Sequence, residues 1–130
     1  MKLLLFFCAF AFSLAAVAQY RFSDSFSIEK GEHWFGAAVD EGTVMPFANG
    51  YRLDLYGNNR GNQAAPLLLS TNGRYLWSEQ PFAFGISGNQ LVVHSMENVT
   101  VERGGGTLAT AYQHASKNIF RHPENCPIHF

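Results

Sequence analysis

A series of about seven short segments, each apolar or alternating and each bounded by turn residues, most constrains the fold of this chain. Between Tyr51 and Tyr56 the alternation has a period of two, so Tyr51, Leu53 and Leu55 share one face of a strand. The other predicted strands are His33–Val39, Pro66–Ser70, Arg74–Glu79, Phe82–Ile86, Gln90–Ser95 and Val99–Arg103. Many short strands with glycine-rich turns predict an all-β fold, either an antiparallel sandwich or a barrel.

Two turns fix how neighbouring strands pair. Asn72-Gly73 is a strong hairpin signal between Pro66–Ser70 and Arg74–Glu79, and Gly88-Asn89 marks a second tight turn. In the strand that follows Gly73, Tyr75 and Trp77 are two residues apart, so we expect both side chains on the same face.

The pattern changes after the glycines at positions 104–106. From Thr107 onwards the apolar residues recur at helical spacing, namely Leu108, Ala111, Tyr112, Ala115 and Ile119. Thr107 can cap the first turn, and Pro123 limits how far the helix extends. The sequence therefore predicts one C-terminal helix after the strands.

The N-terminus has the features of a secretory signal. Lys2 precedes an apolar run from Leu3 to Phe12, and Ala16-Val17-Ala18 is a small-x-small cleavage site, so we expect cleavage between Ala18 and Gln19. The alternative is a membrane anchor, but the run is short for a spanning helix. We predict a secreted or periplasmic protein with a signal peptide at 1–18, a β-sandwich at 19–106, and a helix and linker at 107–130.

Cysteine count and charge exclude several classes. Cys8 lies in the predicted signal, which leaves Cys126 without a partner for an intrachain disulfide. The formal net charge of −1 disfavours nucleic acid or an anionic membrane as a partner. A mature chain of this kind is held together by its core.

No catalytic or metal site is marked out by spacing. Glycoside hydrolysis needs two carboxyl groups in one pocket, and the available carboxylates lie mostly at turns or on polar strand faces: Asp24, Asp40, Glu41, Asp54, Glu79, Glu97 and Glu102. The cluster of His114, His122, Cys126 and His129 lacks the regular spacing of a zinc site. We predict no catalytic residue, no metal and no cofactor.

Aromatic residues offer a different chemistry. Their faces stack on sugar rings while neighbouring amide and guanidinium groups supply directional hydrogen bonds. Most aromatic side chains of a sandwich belong to its core. Trp34 and Trp77 are the best candidates for exposed platforms, because each lies near a glycine-rich or polar turn.

Three segments carry a resemblance to a known family: HWFGAAVDEGTVMP, YRLDLYGNNRGNQAAPLLLSTNGRYLWSEQPFAF and AYQHASKNIF. They resemble the N-terminal β-sandwich of glycoside hydrolase family 31, in the form found in secreted proteins of Bacteroidetes-type bacteria. The resemblance implies a sandwich similar to galactose mutarotase folds, followed by a (β/α)8 barrel that carries the catalytic aspartates. Members of the family are mainly retaining α-glycosidases, such as α-glucosidases and α-xylosidases.

The chain departs from the family where the barrel would begin. A barrel needs about 200 further residues, and no residue here matches the family's catalytic aspartates, so we expect a fragment whose catalytic barrel is missing. The resemblance implies that loops Val39–Pro46 and Gly57–Ala65 face the substrate pocket. Their polar candidates for contacting an α-linked glycoside are Asp40, Arg60, Asn62 and Gln63. Alternatively, Arg60 and Asn62 order their own loop and hold the sandwich against the barrel.

Three functions are compatible with these observations. The first is an accessory sandwich of a family 31 α-glycosidase. The second is a stand-alone carbohydrate-binding module that uses an exposed Trp34 or Trp77. The third is a structural sandwich domain of the cell surface, which we expect less because its barrel-facing surface would remain an exposed apolar patch.

Overall fold

Eight strands in two four-stranded antiparallel sheets, followed by one helix, make up the part of the chain that the structure describes. The structure is a computed structural model, and it describes residues 20–57 and 63–119. The elements are β1 (Phe22–Ser27), β2 (Trp34–Ala38), β3 (Arg52–Asp54), β4 (Ala64–Ser70), β5 (Arg74–Trp77), β6 (Phe82–Ser87), β7 (Gln90–Ser95), β8 (Thr100–Arg103) and helix α1 (Leu108–Ile119).

The two sheets are built from strands that lie far apart in the chain. Sheet A has the order β1-β7-β6-β3, and sheet B has the order β2-β4-β5-β8. All pairs are antiparallel, including the hairpins β4–β5 and β6–β7. The prediction of an all-β antiparallel sandwich with one C-terminal helix is confirmed.

The core lies between the inner faces of the two sheets. Leu68 and Leu76 of sheet B and Phe82 and Leu91 of sheet A are each 0% exposed. Leu53 of β3 is buried while its neighbours on the strand are exposed, which confirms the alternation expected there.

One strand was missed, and several predicted strand boundaries differ from the structure by one to two residues. Strand β1 was not predicted, because the polar Asp24 stands between Phe22 and Phe26 and interrupts the apolar face. Pairing with β7 nevertheless places Phe26 opposite Leu91, where it packs against the core. The segment expected as strand His33–Val39 ends at Ala38, and a short 3₁₀ helix (Val39–Val44) follows it.

Both predicted tight turns are present. Gly73 closes the β4–β5 hairpin with a φ of 84°, and a Cβ atom there would lie 2.1 Å from the carbonyl oxygen of Gly105. Gly88 closes the β6–β7 hairpin with a φ of 61°. Glycine is required at position 73 both for its backbone conformation and for the close approach of the loop before α1.

Helix α1 begins with a reciprocal cap and packs on sheet B. The Thr107 hydroxyl accepts the Thr110 N–H at 3.2 Å, and the Thr107 N–H donates to the Thr110 hydroxyl at 3.0 Å, as expected for a capping threonine. Ala111 and Ala115 are both 0% exposed, and the helix contacts β4 and β5. Small side chains on this helical face let the helix lie close to the outer face of sheet B.

Several predictions fall outside the described residues. They are the signal peptide at 1–18, the loop residues Arg60 and Asn62, and the tail residues His122, Cys126 and His129. Within the described part, we find no helix that is both long and apolar enough to cross a membrane.

Candidate functional site

Trp34 belongs to the core and not to a binding surface. Its register opposite Ser70 turns the indole to the inner face of sheet B, and the residue is 1% exposed. The guanidinium carbon of Arg74 lies 5.4 Å from the centre of the indole ring. The interpretation of Trp34 as an exposed sugar platform is wrong, because the side chain is enclosed between the sheets.

Trp77 lies on the other side of the same sheet. It pairs with Leu67 of β4, and Tyr75 pairs with Leu69, so the two aromatic side chains share the outer face as predicted. Trp77 is half-buried there. The outer face is therefore the place where an aromatic ring of sheet B can meet a partner.

Asp40 and Gln63 lie at neighbouring points of the backbone. Both residues are exposed, and the Val39 N–H donates to the Gln63 carbonyl oxygen at 2.9 Å. Next to Asp40, the Glu41 carboxylate accepts a hydrogen bond from the Tyr51 hydroxyl at 2.8 Å. The structure thus brings together one residue from each of the two loops selected from the sequence.

An apolar cavity of about 470 Å³ opens beside these residues, and we call it the sheet B groove. It lies over β2 and β4, and Tyr112 of α1 contributes to its lining. Its lining consists mainly of small and aliphatic residues: Gly36, Ala37, Ala38, Val39, Gly42, Met45, Gln63, Ala64, Ala65, Leu67, Leu69 and Tyr112. Among the described residues of this lining, only Gln63 and the hydroxyl group of Tyr112 supply side-chain oxygen or nitrogen atoms.

A bulge in β2 shapes one wall of the sheet B groove. The pairing register shifts between Gly36 and Ala38, and both Gly36 (φ 117°) and Ala37 (φ 62°) have positive φ angles. A Cβ atom on Gly36 would lie 2.5 Å from the Leu67 carbonyl oxygen. Glycine is therefore needed for the close approach of the two strands, and the left-handed alanine stores backbone strain at the edge of the groove.

A cluster of polar groups joins α1 to sheet B. The Tyr75 hydroxyl donates to the Glu102 carboxylate at 2.6 Å and lies 3.0 Å from His114 Nδ1. Asn118 reaches the same imidazole at 3.0 Å. Burial, together with the hydrogen bond to Glu102, raises the pKa of the Tyr75 phenol. This cluster attaches the helix, and its groups satisfy one another.

A second cluster closes one end of the sandwich. Arg74 donates to both carboxylate oxygens of the buried Glu32, at 2.9 and 2.5 Å, and to the Ser27 carbonyl oxygen at 2.7 Å. Burial alone would raise the pKa of Glu32, but hydrogen bonds from Arg74 and from the Glu29 amide hold it below its ordinary value. Arg74 therefore links β1 of sheet A to β5 of sheet B.

Sequence reasoning missed this second cluster. Glu32 lies in the turn before β2 and Arg74 lies directly after a hairpin, which is where solvated charges are usually found. The pairing of β2 with β4, and of β4 with β5, within sheet B brings the two side chains together, so no local signal could have indicated the contact.

Among the described residues, no carboxylate lines the sheet B groove or two further cavities of about 200 and 70 Å³. Among residues 20–57 and 63–119, no three His, Cys, Asp or Glu side chains are placed to hold a metal ion.

The comparisons with known proteins do not add an identity. No family model matches the chain, and no curated protein matches it in sequence.

Proposed function

We propose that this chain is the N-terminal accessory β-sandwich of a secreted α-glycosidase of the family 31 type. In this proposal the sandwich is not catalytic by itself, and it packs through the sheet B groove against a (β/α)8 barrel that cleaves an α-linked glycoside. The sequence resemblance of three segments supports the proposal, and so does the place where two of them meet.

The observation that carries the proposal is the composition of the sheet B groove. Val39, Gly42 and Met45 come from the first loop that the resemblance implies at a domain boundary, and residues 63–65 come from the second. The two loops are separated in the chain by β3. Both nevertheless contribute to one groove, as expected if they were selected to meet the same neighbour.

The chemistry of the groove fits a protein neighbour. Val39, which is 74% exposed, and Tyr112, which is 56% exposed, line the groove, and Val44 (47% exposed) directly precedes the lining residue Met45. Large apolar side chains grouped at one surface usually mark an interaction site. A barrel that covers them would remove apolar area from water, and Gln63 would supply a directional hydrogen bond at the rim.

Two carboxylates of the described part have hydrogen-bond partners within the chain. A retaining glycosidase holds its two carboxyl groups about 5 Å apart in one pocket. Here Glu32 is paired with Arg74 at one end of the sandwich, and Glu102 is bonded to Tyr75 near α1. In the proposal the bond-breaking carboxylates belong to the neighbouring barrel.

The nucleotide sequence downstream of the Phe130 codon tests the proposal most directly. A continuation that encodes a (β/α)8 barrel, in frame or after a frameshift, supports it. A continuation that encodes a different fold, or hydrolysis of an α-glycoside by the purified chain alone, contradicts it.

The apolar groove gives a second test that needs only this chain. We expect the chain to self-associate at high concentration, and Val39→Lys to shift it towards monomer in light scattering. Tyr56→Ser is the matched control, because Tyr56 is also exposed (51%) but lies outside the groove. A wild-type chain that stays monomeric at about millimolar concentration would count against an uncovered docking face.

One observation favours a second candidate, a carbohydrate-binding module. Trp77 keeps part of its ring exposed on the outer face of sheet B. Calorimetric titration with α-linked oligosaccharides tests this function, with Trp77→Phe as the variant. Absence of heat at millimolar ligand removes it.

A further inference from the structure

The outer face of sheet A carries a cavity that the proposed function does not use. It has a volume of about 200 Å³ and is formed by Phe84–Ser87 of β6 together with Arg52, Val92 and His94. A volume of this size holds about seven liquid waters, so it suits a ligand no larger than one sugar ring. We call it the sheet A cavity.

The strand register explains the floor of the cavity. Arg52 of β3, Gly85 of β6 and Val92 of β7 lie directly opposite one another across three strands. Neighbouring strands are about 4.8 Å apart, so the missing side chain of Gly85 leaves a depression between Arg52 and Val92. A Cβ atom on Gly85 would lie 3.0 Å from Cγ of Arg52, so glycine lets the arginine stem lean over the floor.

Arg52 and His94 face this depression, and among the described residues neither has a hydrogen-bond acceptor. Arg52 is exposed and makes no hydrogen bond or ion pair with any residue that the structure describes. His94 lies two residues beyond Val92 on the same face of β7, and its ring lies next to the ring of Tyr20. A guanidinium fork and an imidazole N–H can bind the oxygens of one carboxylate.

An aromatic wall stands beside His94 and is held in place. The rings of Tyr20 and His94 lie 6.2 Å apart, and Tyr56 meets Tyr20 edge-on at 6.4 Å. The Tyr20 hydroxyl donates to Asp54 at 2.5 Å, and Asp54 also accepts the Tyr56 N–H at 2.9 Å. Oδ1 of Asp54 thus fixes the wall, and no ion pair joins Asp54 to Arg52 among the described residues.

We propose that the sheet A cavity binds an acidic sugar unit, a uronate. Its carboxylate is held by Arg52 and His94, and its C–H face rests on Val92 and the Tyr20–His94 wall. Apolar floor, aromatic wall and cationic rim match the three parts of such a ligand. The site lies on sheet A and the groove lies on sheet B, so uronate binding does not depend on the proposed barrel.

Amide NMR spectra of the full chain, titrated with glucuronate, glucose and acetate, test the proposal. We expect glucuronate to produce saturable shifts centred on Gly85, Val92 and His94, with glucose and acetate each binding about tenfold more weakly. Arg52→Gln should weaken glucuronate about tenfold or more and leave the glucose affinity within about twofold. Because Arg52 is exposed, the unshifted remainder of the spectrum shows that the variant is folded.

Lys117→Gln is the matched control, since it removes one exposed positive charge on α1, on the opposite side of the sandwich. It should leave glucuronate binding unchanged. Three results would overturn the proposal: shifts dispersed over the surface, equal affinities for glucuronate and glucose or acetate, or equal weakening by Lys117→Gln and Arg52→Gln.

Discussion

The outer faces of the two sheets differ in what covers them. Sheet B carries Leu67, Leu69, Tyr75 and Trp77 outwards, and α1 lies over part of this face. The outer face of sheet A instead carries small or polar side chains, among them Ser23, Ser25, Arg52, Ala83 and His94.

The two outer faces show that sheets of the same strand number can either face water or pack against a further element. An antiparallel sheet can leave one face in water, and its outward residues are then polar or small. A sheet whose outward residues are large and apolar needs a cover. The helix supplies that cover for Tyr75, while the sheet B groove remains open beside it.

We expect the largest effect from Arg74→Met, which removes the contacts of Arg74 with Glu32 and with Ser27 of sheet A. The substitution leaves Glu32 buried without its partner, and we expect a loss of about 3 kcal/mol in the free energy of unfolding. Urea denaturation measures the effect. A loss below about 0.5 kcal/mol, the size of an ordinary surface change, would show that the contacts of Arg74 with Glu32 and Ser27 do not stabilise the sandwich.

The pH dependence of unfolding serves as an internal check on the same pair. In the wild type the pKa of Glu32 is held below the unfolded value of about 4.3. The stability contributed by Glu32 is therefore present above that pH and is lost as the pH falls through the lower folded pKa. In Arg74→Met burial dominates and raises the pKa, so acid should stabilise the variant relative to wild type.

A matched pair of alanine substitutions sharpens the contrast between the covered and the open face. Ala115→Leu inserts a large side chain where α1 touches sheet B, and we expect a loss of about 2 kcal/mol by overpacking. Ala83→Leu places the same side chain on the open face of sheet A, with an expected change within about 0.5 kcal/mol. Equal losses in denaturant titrations would mean that both faces are equally constrained.

Substitution of two tyrosines compares the polar contacts on the outer faces of sheet B (Tyr75) and sheet A (Tyr20). Tyr75→Phe removes the hydrogen bond to Glu102 and the contact with His114, at an expected cost of about 1 kcal/mol. Burial raises the pKa of both Tyr75 and Tyr20, so each contributes stability below about pH 10 that is lost as the pH rises through its folded pKa. At high pH, Tyr75→Phe should remove the part of the stability loss that is due to Tyr75. Tyr20→Phe should remove the part that is due to Tyr20. An unchanged alkaline profile in both variants would contradict these assignments.

The smallest expected effect is spectroscopic and concerns the two tryptophans. Trp77→Phe should leave a blue-shifted emission that acrylamide hardly quenches, because the remaining Trp34 is 1% exposed. The wild type should be quenched more strongly through the half-buried Trp77. Strong quenching of the variant would place Trp34 at the surface and contradict its burial in the core.

Local sequence patterns were sufficient for most of the elements. The alternation in β3, the hairpin at Asn72-Gly73 and the cap at Thr107 each depend on residues a few positions apart, and each was found in the structure. The common face of Tyr75 and Trp77 follows from the period of a strand and needs no tertiary information.

Only the tertiary structure determined which strand faces are buried and which residues meet at the surface. Strand β1, the burial of Trp34, the Glu32–Arg74 pair and the junction of two loops at the sheet B groove all depend on strands paired across long stretches of chain. The periodicity of a strand indicates that one face is more apolar than the other. It does not say which of them meets the other sheet, because that choice is made by packing partners that lie elsewhere in the sequence.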